Sequence, residues 1–352
     1  MWATSRCISH FTDPPLRMDA PAPIAAAPPR MTGRAVSLVM AVAMVWFFAD
    51  AYFFEGKAVV IDAVVLLLAL AGVYVLAHEP LTVRRPDAVN AVAAITGAAV
   101  GHALTTRAAL HPTLAGSLAG VAVSTLPLLG INRATNWMPV FYVGVFAGTG
   151  SAVILHGATW VLLAGLLAGL VWSLIPDAWS GVGGKMGFTA FFGAGTAELL
   201  SEHLAGNRPG RLPMQVIDLG HDMAVPVAAV AAVVTRRLMR RYALPAVAAS
   251  ALPTAFVAAG LFGFRVPLAA PLAAAWFGGS FVGMTQATRI PTDMGIAATG
   301  ALLGVVLLRL QSRMVGWGGV LGATACTCVL AGIGLSALAR RIRMRQRMPA
   351  AG

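Results

Sequence analysis

Charged side chains are scarce in this chain of 352 residues. Asp, Glu, Lys and Arg make up 11% of it, where about 25% is usual in a soluble protein. Cysteine is rare as well, and its three copies, Cys7, Cys326 and Cys328, do not form a disulfide framework. A folded chain of this length has too few charged residues to form a water-facing surface. The composition therefore excludes an ordinary soluble protein.

Apolar residues are abundant instead: 58% of the chain is hydrophobic, 38 residues are Gly, and the mean hydropathy is +0.79. A helix that crosses a bilayer needs about 20 residues. Twelve apolar segments approach this length, and together they predict an all-α, polytopic integral membrane protein with about 12 transmembrane helices. Gly is dense in two segments, which could be broken or re-entrant. The segments are 36–54, 58–77, 88–106, 112–130, 138–155, 157–176, 184–200, 222–240, 245–262, 267–285, 292–311 and 316–338.

Basic residues favour one side of the membrane. If the amino terminus is cytoplasmic, 18 of the 25 Lys and Arg residues lie in cytoplasmic loops or termini. This positive-inside bias predicts that both termini are cytoplasmic. It also accounts for the net charge of +12 through contact with anionic lipid. We therefore expect the lipid bilayer as a partner and no nucleic acid, and a bacterial inner membrane as the location.

The sequence resembles itself at a constant offset of 135 residues, which leads for example from Phe141 to Trp276. FYVGVFAGTG, which begins at Phe141, matches WFGGSFVGMT, and GVGGKMGFTA, which begins at Gly181, matches GWGGVLGATA. Residues 141–195 have 14 identities in 55 positions, against roughly five expected by chance. We call two residues related by this offset repeat counterparts.

Each copy of the repeat contains five predicted spans. Because five is odd, the second copy must enter the membrane from the opposite side, which predicts a 5+5 inverted repeat. The chain then divides into five parts. We expect residues 1–33 to be a disordered cytoplasmic leader and residues 34–83 to form two leading transmembrane helices. Repeat 1 covers 84–210, repeat 2, inverted, covers 211–338, and residues 339–352 form a basic cytoplasmic tail.

Paired Gly-rich motifs are the candidate lining of a substrate pathway. Adjacent glycines weaken a helix and can expose backbone groups to a solute, although they also allow close helix packing. Lys185 is either a gate contact or an anchor at the membrane edge. The paired threonines either line a path or bond their own helices. Glu198 could form a proton-linked cluster with Glu202 and His203. The candidate residues are Gly144, Phe146, Gly148, Gly183, Gly184, Lys185, Thr189, Glu198, Gly279, Phe281, Gly283, Gly318, Gly319 and Thr324.

Motifs for chemistry are missing from the sequence. Met186 stands where a P-loop needs Ser or Thr, and the seven His residues have no metal-binding spacing. We therefore expect no enzyme activity, no cofactor and no metal site.

The favoured function is a membrane transporter or channel for a small solute, either a molecule or an ion of unknown identity. The predicted architecture resembles that of five-plus-five transporters and channels such as urea and ammonium channels, whose pore residues do not occur here. Two alternatives stay open. One is a membrane-embedded enzyme or assembly factor acting on lipid or a lipid-linked substrate, and the other is a scaffold that transports nothing. Homo-oligomerisation also stays open.

Overall fold

The computed structural model describes residues 30–53, 59–207, 223–310 and 316–347. Within these ranges the chain is all-α, apart from two short strands, β1 (Arg30–Thr32) and β2 (Pro80–Thr82), which pair antiparallel. Each of the twelve predicted segments contains one long helix, and α6 is a short addition within the segment 138–155. The helices are α1 (Gly33–Phe53), α2 (Val59–Leu76), α3 (Ala88–Thr106), α4 (Pro112–Thr125), α5 (Ala134–Gly148), α6 (Ala152–Leu155), α7 (Ala158–Leu174), α8 (Lys185–Ala205), α9 (Ala224–Tyr242), α10 (Ala246–Gly263), α11 (Ala269–Gly283), α12 (Asp293–Leu310) and α13 (Val320–Arg347).

Four of the described helices are long and apolar enough to cross a membrane. They are α3, α4 with the 3-10 turn that follows it, α10, and α13 as far as Met344, and their mean hydropathies run from 1.4 to 1.8. Helices α7 and α11 and most of α2 are apolar but shorter. Helices of this kind are those of a membrane protein.

Several boundaries differ from the predictions. The predicted segment 138–155 is broken, because α5 ends at Gly148 and α6 begins at Ala152. The Gly-rich segment 184–200, by contrast, contains one unbroken helix, α8. Helix α13 continues to Arg347, so residues 339–347 of the expected tail are helical. Arg30–Thr32, expected in the leader, form β1, and residues 1–29 lie outside the described part.

Helices α8 and α13 pack against each other, and α5 and α11 pack beside them. In the first half α3 packs on α5 and α7, and in the second half α9 packs on α11 and α12. Helices α4 and α10 form a further pair. Helix α2 lies along α13, with α1 against α2.

Glycines let these helices approach to backbone contact. A side chain on any of four glycines in α5 and α11 would collide with a carbonyl oxygen of the helix opposite, so only Gly permits this packing. Among the predicted pathway residues, these four are therefore placed at helix contacts. In the first half Gly144 meets Ala94 and Gly148 meets Ala98; in the second half Gly279 meets Ala228 and Gly283 meets Ala232.

Candidate functional site

The first turns of α8 and α13 cross at two glycines. A Cβ built on Gly187 would lie 2.5 Å from the Cα of Gly322, and a Cβ built on Gly322 would lie 2.5 Å from the Cα of Gly187. Each helix is preceded by a glycine in the left-handed region, Gly184 with φ +79° and Gly319 with φ +80°. Other residues are strained in that conformation. Two glycines per helix therefore permit both the turn and the crossing.

Contacts around this crossing come in matched pairs. Where one residue contacts another, the repeat counterparts of these two residues also contact each other. The backbone N–H of Gln286 donates to the carbonyl of Gly181 at 2.9 Å, and the backbone N–H of Ser151 donates to the carbonyl of Gly316 at 2.7 Å. The same relation holds for two pairs of close approaches. Gly183 approaches Phe281 as Gly318 approaches Phe146, and Gly184 approaches Cys326 as Gly319 approaches Phe191.

Four aromatic rings fill the space between α5 and α11. The rings of Phe146 and Phe281 stand edge to face with centroids 5.1 Å apart, and Tyr142 and Phe277 pack on them at 4.3 and 4.4 Å. We call these four residues the aromatic cluster. Tyr142 and Phe277 were not among the predicted residues, although they are also repeat counterparts and lie one helical turn before the predicted phenylalanines. The Tyr142 hydroxyl is buried and has no hydrogen-bond partner among the described residues.

A cavity of about 260 Å³ reaches the aromatic cluster from one side of the molecule. Its lining runs from exposed Gln286 and Ser180 to buried Phe146 and Phe281. The segment between α7 and α8 forms much of its wall, together with Lys185 and the end of α11. The cavity therefore connects a loop surface with the centre of the helix packing.

Lys185 is the charged residue in the cavity lining. It is the first residue of α8 and only 9% exposed. Its ammonium group donates to the carbonyl of Pro176 at 2.5 Å and lies 4.6 Å from the centroid of the Trp172 ring. No carboxylate in the described part of the chain forms an ion pair with it, and Asp177 of the same wall pairs with Arg84 at 3.7 Å.

The cavity wall is held by groups from three segments. Arg289, between α11 and α12, makes a two-pronged ion pair with Glu79 beyond α2 and donates to the carbonyl of Ser180. The backbone N–H of Gly183 donates to Oγ1 of Thr285 at 3.2 Å. These bonds connect the wall between α7 and α8 to the other half of the chain.

The two predicted threonines do not line this cavity. Thr189 and Thr324 are buried, and their hydroxyls donate to carbonyls of their own helices, Lys185 at 3.1 Å and Val320 at 2.9 Å. Thr189 instead borders a separate apolar pocket between α1, α7 and α8. Of the two readings considered for these hydroxyls, the bonding to their own helices is the one observed.

Glu198 lies near the other end of α8 and has a different partner from the predicted one. It is 4% exposed, and its Oε1 lies 3.9 Å from Nε2 of His156, which follows α6. Neither carboxylate oxygen has a hydrogen-bond partner among the described residues. His203 is exposed and its Nδ1 contacts the carbonyl of Leu199 at 2.9 Å. No sequence motif marks His156.

Comparison of this chain with protein families, curated proteins and solved structures finds no match. The site must therefore be interpreted from its own geometry. That geometry brings the predicted residues Phe146, Gly184, Lys185 and Phe281 to one cavity and leaves Glu198 apart from it.

Proposed function

We propose that this chain is a twelve-span membrane protein with two inverted copies of five helices, and that it transports a small solute between them. The observation that carries the proposal is the mutual contact of Gly187 with its repeat counterpart Gly322. At a two-fold axis, as at a symmetric dimer interface, each contact recurs with its two partners exchanged between the copies, and the residue on the axis touches its own counterpart. The matched pairs of contacts between repeat counterparts support the same axis.

The direction of this axis follows from the number of spans. With five spans in each copy, the second copy is inverted and the axis lies in the plane of the membrane. The crossing of α8 and α13 would then lie near mid-membrane, where secondary transporters of this architecture bind their substrates. Both helices would begin there rather than at the membrane surface.

The one-sided cavity favours a transport function and not the alternative of a scaffold that transports nothing. It opens on the side that carries Arg240 and Arg289, which the positive-inside rule assigns to the cytoplasm, and it stops at the aromatic cluster. A path that is open from one side and closed at the centre is expected of a gated channel or of a transporter with alternating access. We propose that Phe146 and Phe281 form the closure.

Removal of this closure tests the function. The double variant Phe146→Ala, Phe281→Ala, purified and reconstituted in liposomes, should increase the flux of small solutes several-fold over the wild type. Flux is measured by light scattering for neutral solutes and by entrapped ion-sensitive dyes for ions. The matched control is Phe256→Ala, because Phe256 lies in α10, is 83% exposed and is not part of the aromatic cluster. A folded double variant with wild-type flux would rule out a path between the copies.

Thiol labelling tests the side from which the cavity opens. With Cys7, Cys326 and Cys328 replaced, Met284→Cys should react with an impermeant maleimide only from the cytoplasmic side, because Met284 borders the cavity. Thr149 is the repeat counterpart of Met284, and Thr149→Cys should react only from the outside. Labelling of both from one side would contradict the inverted arrangement.

A further inference from the structure

Lys185 carries a positive charge into the cavity, and among the described residues no carboxylate lies within ion-pair distance of it. Asp177, which pairs with Arg84, attracts the ammonium group from further away. An ammonium group has three donors, and the contacts of Lys185 account for one of them, the bond to Pro176. The Trp172 ring offers its face to the cation but accepts no ordinary hydrogen bond. A buried charge costs free energy unless an opposite charge or water compensates it.

The second copy of the motif indicates that the fold does not require this charge. At the position equivalent to Lys185 stands Val320, which also begins its helix after a left-handed glycine. The carbonyls of both residues accept a hydroxyl bond from the threonine one turn later. The same local structure therefore forms with and without the ammonium group, so Lys185 is available for another purpose.

The surroundings of Lys185 favour an anion. The first turn of α8, where the helix dipole is positive, begins at Lys185, and Gly184, Lys185, Met186 and Gly187 of this end line the cavity. The residues that line the cavity include no Asp or Glu. The volume of about 260 Å³ can hold a small ion with several waters, each of which occupies about 30 Å³. The ammonium group would repel a cation, and a neutral solute would leave it with only the attraction of the more distant Asp177.

We propose that this cavity binds a small monovalent anion, a halide or a short carboxylate, against the ammonium group of Lys185. The inference rests on the proposed function in one respect, because it makes this anion the transported solute. The binding site itself is defined independently of transport by Lys185, Trp172 and the first turn of α8.

Iodide provides a direct test of binding, because it quenches the fluorescence of a nearby indole. In detergent, iodide should quench part of the tryptophan emission saturably, and Trp172→Phe should remove that part. Lys185→Met should weaken the apparent affinity about tenfold or more, as expected for the loss of a charge-assisted bond. Lys185→Arg should keep the affinity within a few-fold. Acetate should compete with iodide if the site takes carboxylates and should leave the quenching unchanged if it takes halides alone.

Arg265→Gln is the matched control. Arg265 is an exposed cation beyond the end of α10, remote from the cavity, and its loss should leave the quenching unchanged. Thermal unfolding of each variant identifies any that fails to fold, and Lys185→Gln then replaces Lys185→Met. Quenching that rises linearly with iodide, or that persists unchanged in folded Lys185→Met, would overturn the anion site.

Loss of the anion site and loss of transport give different results. Saturable, Lys185-dependent quenching without flux in the Phe146→Ala, Phe281→Ala variant would support the proposed anion site and contradict the proposed transport function. Flux of a neutral solute in that variant without saturable quenching would support the proposed transport function and contradict the proposed anion site. Iodide flux that falls several-fold in Lys185→Met would support both.

Discussion

Glu198 is the second buried charge of α8, and its two oxygens lack hydrogen-bond partners among the described residues. The His156 ring at 3.9 Å compensates it incompletely. Replacement by the neutral amide of the same shape, Glu198→Gln, should therefore raise the free energy of unfolding by about 1 kcal/mol at neutral pH. Thermal unfolding in detergent measures it. Glu202→Gln is the control, because Glu202 is exposed on the same helix, and it should change stability by less than about 0.5 kcal/mol. A loss of stability in Glu198→Gln would mean that His156 is charged and that the pair stabilises the protein.

His111 caps the first turn of α4, outside the apolar span. Its Nδ1 accepts a hydrogen bond from the backbone N–H of Thr113 at 3.3 Å, and its ring packs on Phe262. Burial lowers the pKa of His111 below its usual value of about 6.5. The folded protein thus favours the neutral ring, so its contribution to stability is complete above about pH 6.5 and is lost as the pH falls from there through the lower folded pKa.

The variant His111→Asn separates this contribution from other acid effects, because Asn is a good amino-terminal cap that does not titrate. The difference in melting temperature between wild type and variant should favour the wild type most above about pH 6.5 and should shrink in acid. A difference that is constant from mildly acidic to mildly basic pH would contradict the role of the neutral ring.

Among the helices, the crossing of α8 and α13 depends on the absence of two side chains. Gly187→Ala and Gly322→Ala should each destabilise the protein by about 1–3 kcal/mol, the usual cost of overpacking, because each Cβ meets backbone that cannot rotate away. The two substitutions act on one contact, so the double variant should cost less than the sum. Gly260→Ala is the control, since a Cβ there meets nothing within 4 Å and Ala favours the helix. Equal stability of Gly187→Ala and wild type would show that the helices can part at the crossing.

For the molecule as a whole, the proposed inversion places equivalent loops on opposite sides of the membrane. Ala109 lies just beyond α3, and Ala243 directly follows α9, the helix that corresponds to α3 in the second copy. Alkaline phosphatase, which is active only outside the cytoplasm, should be active when fused after Ala109 and inactive when fused after Ala243. Equal activity of the two fusions in a bacterial host would contradict an odd number of spans between these positions.

Much of the fold can be predicted because membrane helices are encoded locally. An apolar run bounded by Pro, Gly or charge identifies a helix without reference to any other part of the chain, and each of the twelve runs contains one. The local Gly content allows a break in both 138–155 and 184–200, but only the first segment is broken, after Gly148. The basic sequence after residue 338 does not indicate that α13 continues to Arg347, because a basic segment can extend a helix as readily as it can form an irregular tail.

The site can be predicted only in part. The repeat spacing leads to Phe146, Phe281 and the glycines before α8 and α13, since the shared pattern is visible in the sequence. The sequence leaves open whether Thr189 lines a path or bonds its own helix, because the choice depends on how the side chain is turned. It gives no sign that His156 lies beside Glu198, because that contact joins different segments of the chain.

Composition and periodicity are properties of neighbouring residues, and they are enough to establish the apolar class of the protein, the places of its helices and the likeness of its two halves. Which residues meet is settled by packing: Gly187 with Gly322, the four aromatic rings, and Lys185 with Pro176 and Trp172 in a cavity without a carboxylate. Most of these contacts join segments far apart in the chain, and close packing alone selects among the many partners that local patterns allow.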